Sequence, residues 1–127
     1  MPAFCRVQLT LDPAITAEVW LPAAWNRDVA GLGNGGELGA VIYSSLDYAI
    51  AEGYAAVSSD LGHQSGGADA SWALNNPSLV EQFGYSATHD MTVAAKTLLQ
   101  IYYGNAHRYA LFYGGSSRQP CARSRAK

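Results

Sequence analysis

At 127 residues, with 49% hydrophobic and 14% charged side chains, the chain has the size of about one domain and the composition of a globular protein rather than a disordered one. No stretch approaches the roughly 18 to 20 consecutive apolar residues of a membrane span, and "MPAFCRVQLTL" lacks the apolar core of a signal peptide, so a soluble chain with no membrane partner is expected. The net charge of −2 hides an asymmetry: all ten acidic residues lie between Asp12 and Asp90, while Arg118, Arg123, Arg125 and Lys127 are half of the eight cations.

In chain order, "FCRVQLTL" alternates Cys5, Val7, Leu9 and Leu11 against Arg6, Gln8 and Thr10, and "AEVWLP" ends a second extended run at Pro22; together they predict a β-hairpin. "DVAGLG" is a weaker strand candidate running into glycines. "VIYSSLDYAIAEG" has helical spacing with Gly53 as a stop, and "YAAVSSD" is the next strand. From Ser78 onward, Ala87, Met91, Ala94, Ala95, Leu98, Ile101 and Tyr102 recur at three- and four-residue steps, the stripe of an amphipathic helix closing at Gly104. "RYALFYG" is the last strand. A hairpin followed by β-α-β-α-β implies an α/β fold with a mostly parallel sheet and helices on its faces.

The composition changes after Ser117. The expected domain is residues 1–117, with 118–127 as a basic, disordered tail. That tail reads as a patch for nucleic acid or acidic partners, as a solvated end, or as sequence foreign to the domain; four charges without interleaved aromatics make a weak phosphate-binding patch, so no nucleic-acid partner is expected. Cys5 and Cys121 have neither metal-ligand nor CxxC spacing, and no D-x-D-x-D loop occurs, so no metal or other cofactor is expected.

Three glycine-bearing turns raise the question of function. Gly31, Gly33 and Gly36 fall in G-x-G-x-x-G spacing with Asp60 ending the next strand, which fits a dinucleotide-binding turn whose acid holds the ribose. Gly35 and Gly36 can equally leave backbone amides open to a developing oxyanion, or simply turn the chain. "SSDLGHQSGGADASW" follows a strand as a long polar loop. Its His63 is read as holding that loop by hydrogen bonds, and Trp72 as a packing anchor. His89 and His107, with no partner at ligand spacing, are read as structural or exposed. Trp72, Tyr43, Tyr48 and Tyr85 would be the ring-stacking surface of a non-catalytic module for phenolics or sugars.

The third turn, "ALFYGGSSRQP", brings in a resemblance. "PAFCRVQLTL", "EVWLPAAWN", "GNGG", "GYAAVSSDLGHQSGGADASWAL", "FGYSATHDMTVAAKTLLQIYYG" and "YALFYGGSS" are similar, in order and spacing, to the tannase and feruloyl esterase family over about residues 2 to 119. The resemblance implies an α/β-hydrolase fold and a serine nucleophile with an Asp and a His. It further implies action on small-molecule esters of phenolic acids, in enzymes that are usually extracellular. It makes Ser116 the catalytic nucleophile and Gly35, Gly36 and the Ser117 amide the oxyanion hole, for acyl transfer through an acyl-enzyme. Gly115 stands where the family has a Cys, and Arg118 follows Ser117 where the family has glycines. Residues 118–127 contain neither an Asp nor a His. The expectation is therefore an N-terminal portion of an α/β-hydrolase, with uncovered sheet edges and marginal stability.

Overall fold

A computed structural model describes residues 3–11, 15–33, 39–64, 66, 68 and 70–113, with the backbone alone at Gly84 and Tyr85. The elements run β1 (Phe4–Leu11), β2 (Ile15–Pro22), β3 (Asp28–Leu32), α1 (Tyr43–Ala51), β4 (Ala55–Ser59), a 3-10 turn (Ser71–Ala73), α2 (Pro77–Glu81), a π-type turn (Gln82–Ser86), α3 (Ala87–Tyr103) and β5 (Tyr109–Tyr113). The five strands form one sheet in the order β1-β2-β4-β3-β5.

The hairpin is present in the predicted alternation: Phe4 pairs with Pro22 and Leu11 with Ile15, so Cys5, Val7, Leu9 and Leu11 face the core and Arg6, Gln8 and Thr10 face solvent. The expectation of a mostly parallel sheet is corrected. The sheet is mixed, and by paired residues mostly antiparallel, because β2 is antiparallel both to β1 over eight residue pairs and to β4 over four, while β3 is parallel to β4 and β5. The hairpin forms one edge of the sheet, with β1 outermost and β2 joined to β4, so the one reversed strand takes part in two antiparallel ladders.

Helices cover both faces. On the α3 face, Ala17, Val19 and Leu21 of β2, Val29 of β3 and Ala55 and Val57 of β4 pack against Met91, Ala95 and Leu99. On the α1 face, Trp20, Ala30, Leu32 and Ala56 meet Leu46, Ala49 and Ile50. The weak strand candidate is the centre of this arrangement: all five residues of β3 are buried. It reads poorly as a strand because of Gly31, which packs tightly, a Cβ there standing 3.2 Å from the Phe112 ring of β5.

The long helix is interrupted. It enters at Pro77, widens into the π turn and continues as α3 to Gly104, whose φ of 73° closes it in the left-handed conformation. Its buried row is Ala87, Met91, Ala95 and Leu99, with Thr88 alongside, at strict four-residue steps. Ile101 and Tyr102, expected on that stripe, are exposed; Tyr103 turns inward instead, stacking on Trp25 at 4.2 Å and donating its hydroxyl to the Pro22 carbonyl.

Two buried carboxylates tie distant segments. Glu18, 1% exposed on β2, accepts hydrogen bonds from the Arg6 guanidinium, the Trp20 indole at 3.1 Å and the Tyr43 hydroxyl, joining the hairpin to the start of α1. Burial by itself raises the Glu18 carboxyl, but the donors from Arg6, Tyr43 and Trp20 outweigh it and hold the group below its ordinary range. Asp28, at the start of β3, accepts both from the Arg108 guanidinium, at 3.3 and 3.2 Å, and from the Tyr109 N–H at 3.2 Å, fixing the start of β5.

Leu99→Ala, which empties a fully buried site, is expected to cost about 2 to 5 kcal/mol in a urea melt. Because the folded-state affinity of Glu18 for its proton is lowered, its contribution is complete above the unfolded-chain pKa of about 4.3 and disappears as pH falls through the lower folded value. Glu18→Gln should thus lower the melting temperature at pH 7 and flatten its fall between about pH 5 and 2; a parallel downward shift at every pH would contradict this role.

Candidate active site

The carboxyl ends of β3, β4 and β5 lie along one rim of the sheet, where α/β proteins place their ligands. Leu32 pairs with Tyr113, and the Gly33 N–H donates to the Tyr113 carbonyl at 2.9 Å, so the chain leaves β3 and β5 from neighbouring points. The predicted nucleophile Ser116, the oxyanion-hole residues Gly35, Gly36 and Ser117, and the basic tail at 118–127 all lie outside the described residues.

The turn after β4 forms the adjoining part of the rim. Asp60, 3% exposed, accepts at Oδ1 from the Thr16 N–H at 3.1 Å and the Gly62 N–H at 2.9 Å, while its own N–H donates to the Thr16 carbonyl at 2.9 Å. Its carboxylate therefore pins the rim turn to the start of β2 and is buried away from any ribose. Gly31 lies within β3, against Phe112, and the Gly33 amide is taken by Tyr113. These placements oppose the dinucleotide reading, which needs glycine amides and an acid facing one ligand.

His63 is 7% exposed and closes the same turn. Its ring stacks on Trp72 at 3.8 Å and 17°, and both rings meet Phe83, at 5.5 and 5.2 Å. Stacking is thus a large part of what holds this loop, together with a backbone bond from the His63 N–H to the Asp60 carbonyl at 3.4 Å. Trp72 is the anchor that was expected. His89 on α3 is exposed, and His107 precedes β5 at the far end of the sheet, where burial and the nearby Lys96 lower its pKa against a weaker pull from Asp28.

Sequence reasoning missed a contact that only packing reveals. Gly39, where the chain returns from the β3 loop, lies against His63 so closely that a Cβ would stand 2.3 Å from the His63 carbonyl oxygen and 2.6 Å from its ring. The far end of the glycine loop is thereby braced on the turn that Asp60 and His63 hold. Of the four rings proposed as a binding surface, the three described share no platform: Trp72 lies on His63, Tyr43 donates to Glu18, and Tyr48 is 73% exposed beside a groove of about 600 Å³ with Tyr54 and Tyr113; the Tyr85 side chain is outside the described residues.

The family model for tannase and feruloyl esterase matches residues 3–119. The chain belongs to that family. A probable feruloyl esterase B-2 of Aspergillus flavus is 36% identical over 116 residues, covering 88% of this chain and 22% of the relative. An uncharacterised esterase of Xanthomonas campestris is 36% identical over 122 residues, covering 92% and 21%. Among solved structures, feruloyl esterase B from Aspergillus oryzae superposes with a TM-score of 0.80 at 31% identity, over 87% of this chain and 22% of that one. The chain thus spans about a fifth of the length of the curated relatives it matches. Membership of this esterase family also fits the helix-covered α/β architecture and leaves the dinucleotide alternative without support.

Gly39→Ala should destabilise the protein by about 1 to 3 kcal/mol, because the clash is with backbone. A urea melt of Gly39→Ala combined with His63→Ala checks this: the double variant should recover little, since the carbonyl remains in place.

Proposed function

We propose that the chain forms the nucleophile-bearing part of a carboxylic ester hydrolase acting on esters of phenolic acids, with Ser116 attacking the ester carbonyl and amides at Gly35, Gly36 and Ser117 stabilising the oxyanion. One observation carries the reading beyond family membership. The β3 and β5 exits are hydrogen-bonded neighbours on the carboxyl rim, at Gly33 and Tyr113. Gly35 lies two residues past the first and Ser116 three past the second, so at about 3.6 Å per residue each is within about 7 to 11 Å of that junction. Convergence on one carbonyl is therefore within reach, which it would not be from strands apart in the sheet.

The reaction would be acyl transfer. The serine hydroxyl adds to the ester carbonyl, the tetrahedral oxyanion takes the amide hydrogen bonds, the alcohol leaves with the proton, and water hydrolyses the acyl-enzyme. A base must accept the serine proton. His63 is a poor fit for that role, with its ring face against Trp72 and its backbone held by Asp60; we assign it to the brace under the glycine loop. The Asp and His that complete the triad in the family are assigned to a part of the relatives that this chain does not span. An extracellular setting goes with this reading.

The test is covalent labelling alongside turnover. In a protein of the relatives' full length, with this chain joined to the part that carries the triad Asp and His, a fluorophosphonate probe should add once, at Ser116, and Ser116→Ala should abolish the adduct and reduce hydrolysis of methyl ferulate or a nitrophenyl ester by about 10³-fold or more. Labelling at another residue, or turnover unaffected by Ser116→Ala, would refute the assignment. NAD, in the same preparation, should leave the melting temperature unchanged.

A further inference from the structure

Two serines end a strand that is otherwise apolar: β4 reads AAVSS, and Ser58 and Ser59 are 0% and 1% exposed. A hydroxyl buried this deeply is costly unless it is hydrogen-bonded. Ser59 Oγ accepts from the Leu61 N–H at 3.3 Å, within the rim turn. Ser58 Oγ reaches out of its own segment and accepts from the Ile42 N–H at 3.2 Å, at the entry to α1. Helix α1 has no side-chain cap bond at Ile42, so the sheet supplies the contact that holds its first residue.

In the register, Ser58 pairs with Glu18 of β2 on one side and Leu32 of β3 on the other, and Leu32 pairs with Tyr113 of β5. Paired residues direct their side chains to one face of a sheet, here the face that α1 covers. The chain leaves this row at Leu32, with the Gly33 N–H on the Tyr113 carbonyl. It returns to the same row at Ile42 on Ser58, and at Tyr43, whose hydroxyl donates to Glu18. Both limbs of the glycine loop are thus tied to one row across four strands, and the row ends at Tyr113, three residues before Ser116.

We propose that Ser58 is a positioning residue for the candidate site: its bond to Ile42 sets the span between the two limbs, and with it the placement of the Gly35 and Gly36 amides against Ser116. The inference rests on the reading of those amides as oxyanion donors. Glu18 holds the neighbouring residue only through the long side chain of Tyr43, whereas Ser58 holds the backbone itself. Oxyanion donors act by standing in place before charge develops, so a slackened limb should weaken tetrahedral binding and leave ground-state binding nearly as it was. Gly39, lying against His63, is a second contact on the return limb, so loss of the Ser58 hydroxyl should loosen that limb without detaching it.

The test uses the protein of the relatives' full length, with this chain joined to the part that carries the triad Asp and His. Ser58→Ala is expected to lower kcat for methyl ferulate about tenfold, with KM changed by less than about twofold. The inhibition constant of an aryl boronic acid, which binds a serine hydroxyl as a tetrahedral adduct, should rise about tenfold, while that of ferulic acid stays within about twofold. Ser58→Cys, close in size but with a weakly accepting sulfur, should fall between serine and alanine in both measurements. Leu99→Ala, on the opposite face of the sheet, is the control; assayed well below its melting temperature it should keep both kcat and the boronic acid affinity. If Ser58→Ala leaves both intact while Ser116→Ala abolishes labelling, the proposal is overturned and the nucleophile stands. Equal losses in Leu99→Ala overturn it too, by reducing Ser58 to a general structural role. Labelling that survives Ser116→Ala overturns the reading underneath, and this proposal with it. Should Ser58→Ala fail to fold, Ser58→Cys carries the same comparison.

Discussion

Strand β3 is buried along its whole length between parallel neighbours, and this burial fixes where everything else can lie. A five-residue strand can be enclosed this way only if its side chains are small or fit both helical layers, and Val29, Ala30, Gly31 and Leu32 alternate between the α3 and α1 faces to do so. With β4 on one side and β5 on the other, both parallel to it, three carboxyl ends reach the same rim. That convergence makes a reacting site possible at this rim of the sheet.

The three buried carboxylates divide the work of holding this arrangement. Glu18 secures α1 to the hairpin through the Tyr43 hydroxyl while pairing with the Arg6 cation, and Asp28 secures the start of β5 through the Arg108 cation and the Tyr109 N–H. Asp60 at the rim uses backbone amides instead, and so holds the turn after β4 without placing a positive charge beside the candidate site. Around it, His63, Trp72 and Phe83 form an aromatic block on which Gly39 closes. A buried acid unpaired at any of these places would be costly, which explains why each is saturated by partners distant in sequence.

The family assignment and the geometry speak to different levels. Family membership says what kind of chemistry relatives are named for; the sheet order says which loops can meet. Among the described residues β5 is the last strand of that order, and the run of uncharged, partly exposed residues along it is a property of the strand as much as of the fold.

Every strand and both principal helices were legible in the sequence, because alternation in β1 and the three- and four-residue spacing through Ala87, Met91 and Ala95 in α3 are local consequences of burial on one side; that Leu99 continues the buried row was not read from the spacing. The hairpin was legible for the same reason. What the residues could not state was where the hairpin's return strand would sit: inserting β2 between β1 and β4 is a choice among pairings of similar local quality, and it turned an expected mostly parallel sheet into a mixed one. Nor could spacing alone reveal that Gly31, Gly33 and Asp60 do not face a common ligand, that Ile101 and Tyr102 stay in solvent, or that Gly39 rests on His63. Hydrophobic period is set residue by residue along the chain, and the sequence determined the elements and their inward faces; contacts between segments far apart depend on how closely two surfaces fit, and only the tertiary structure decided those.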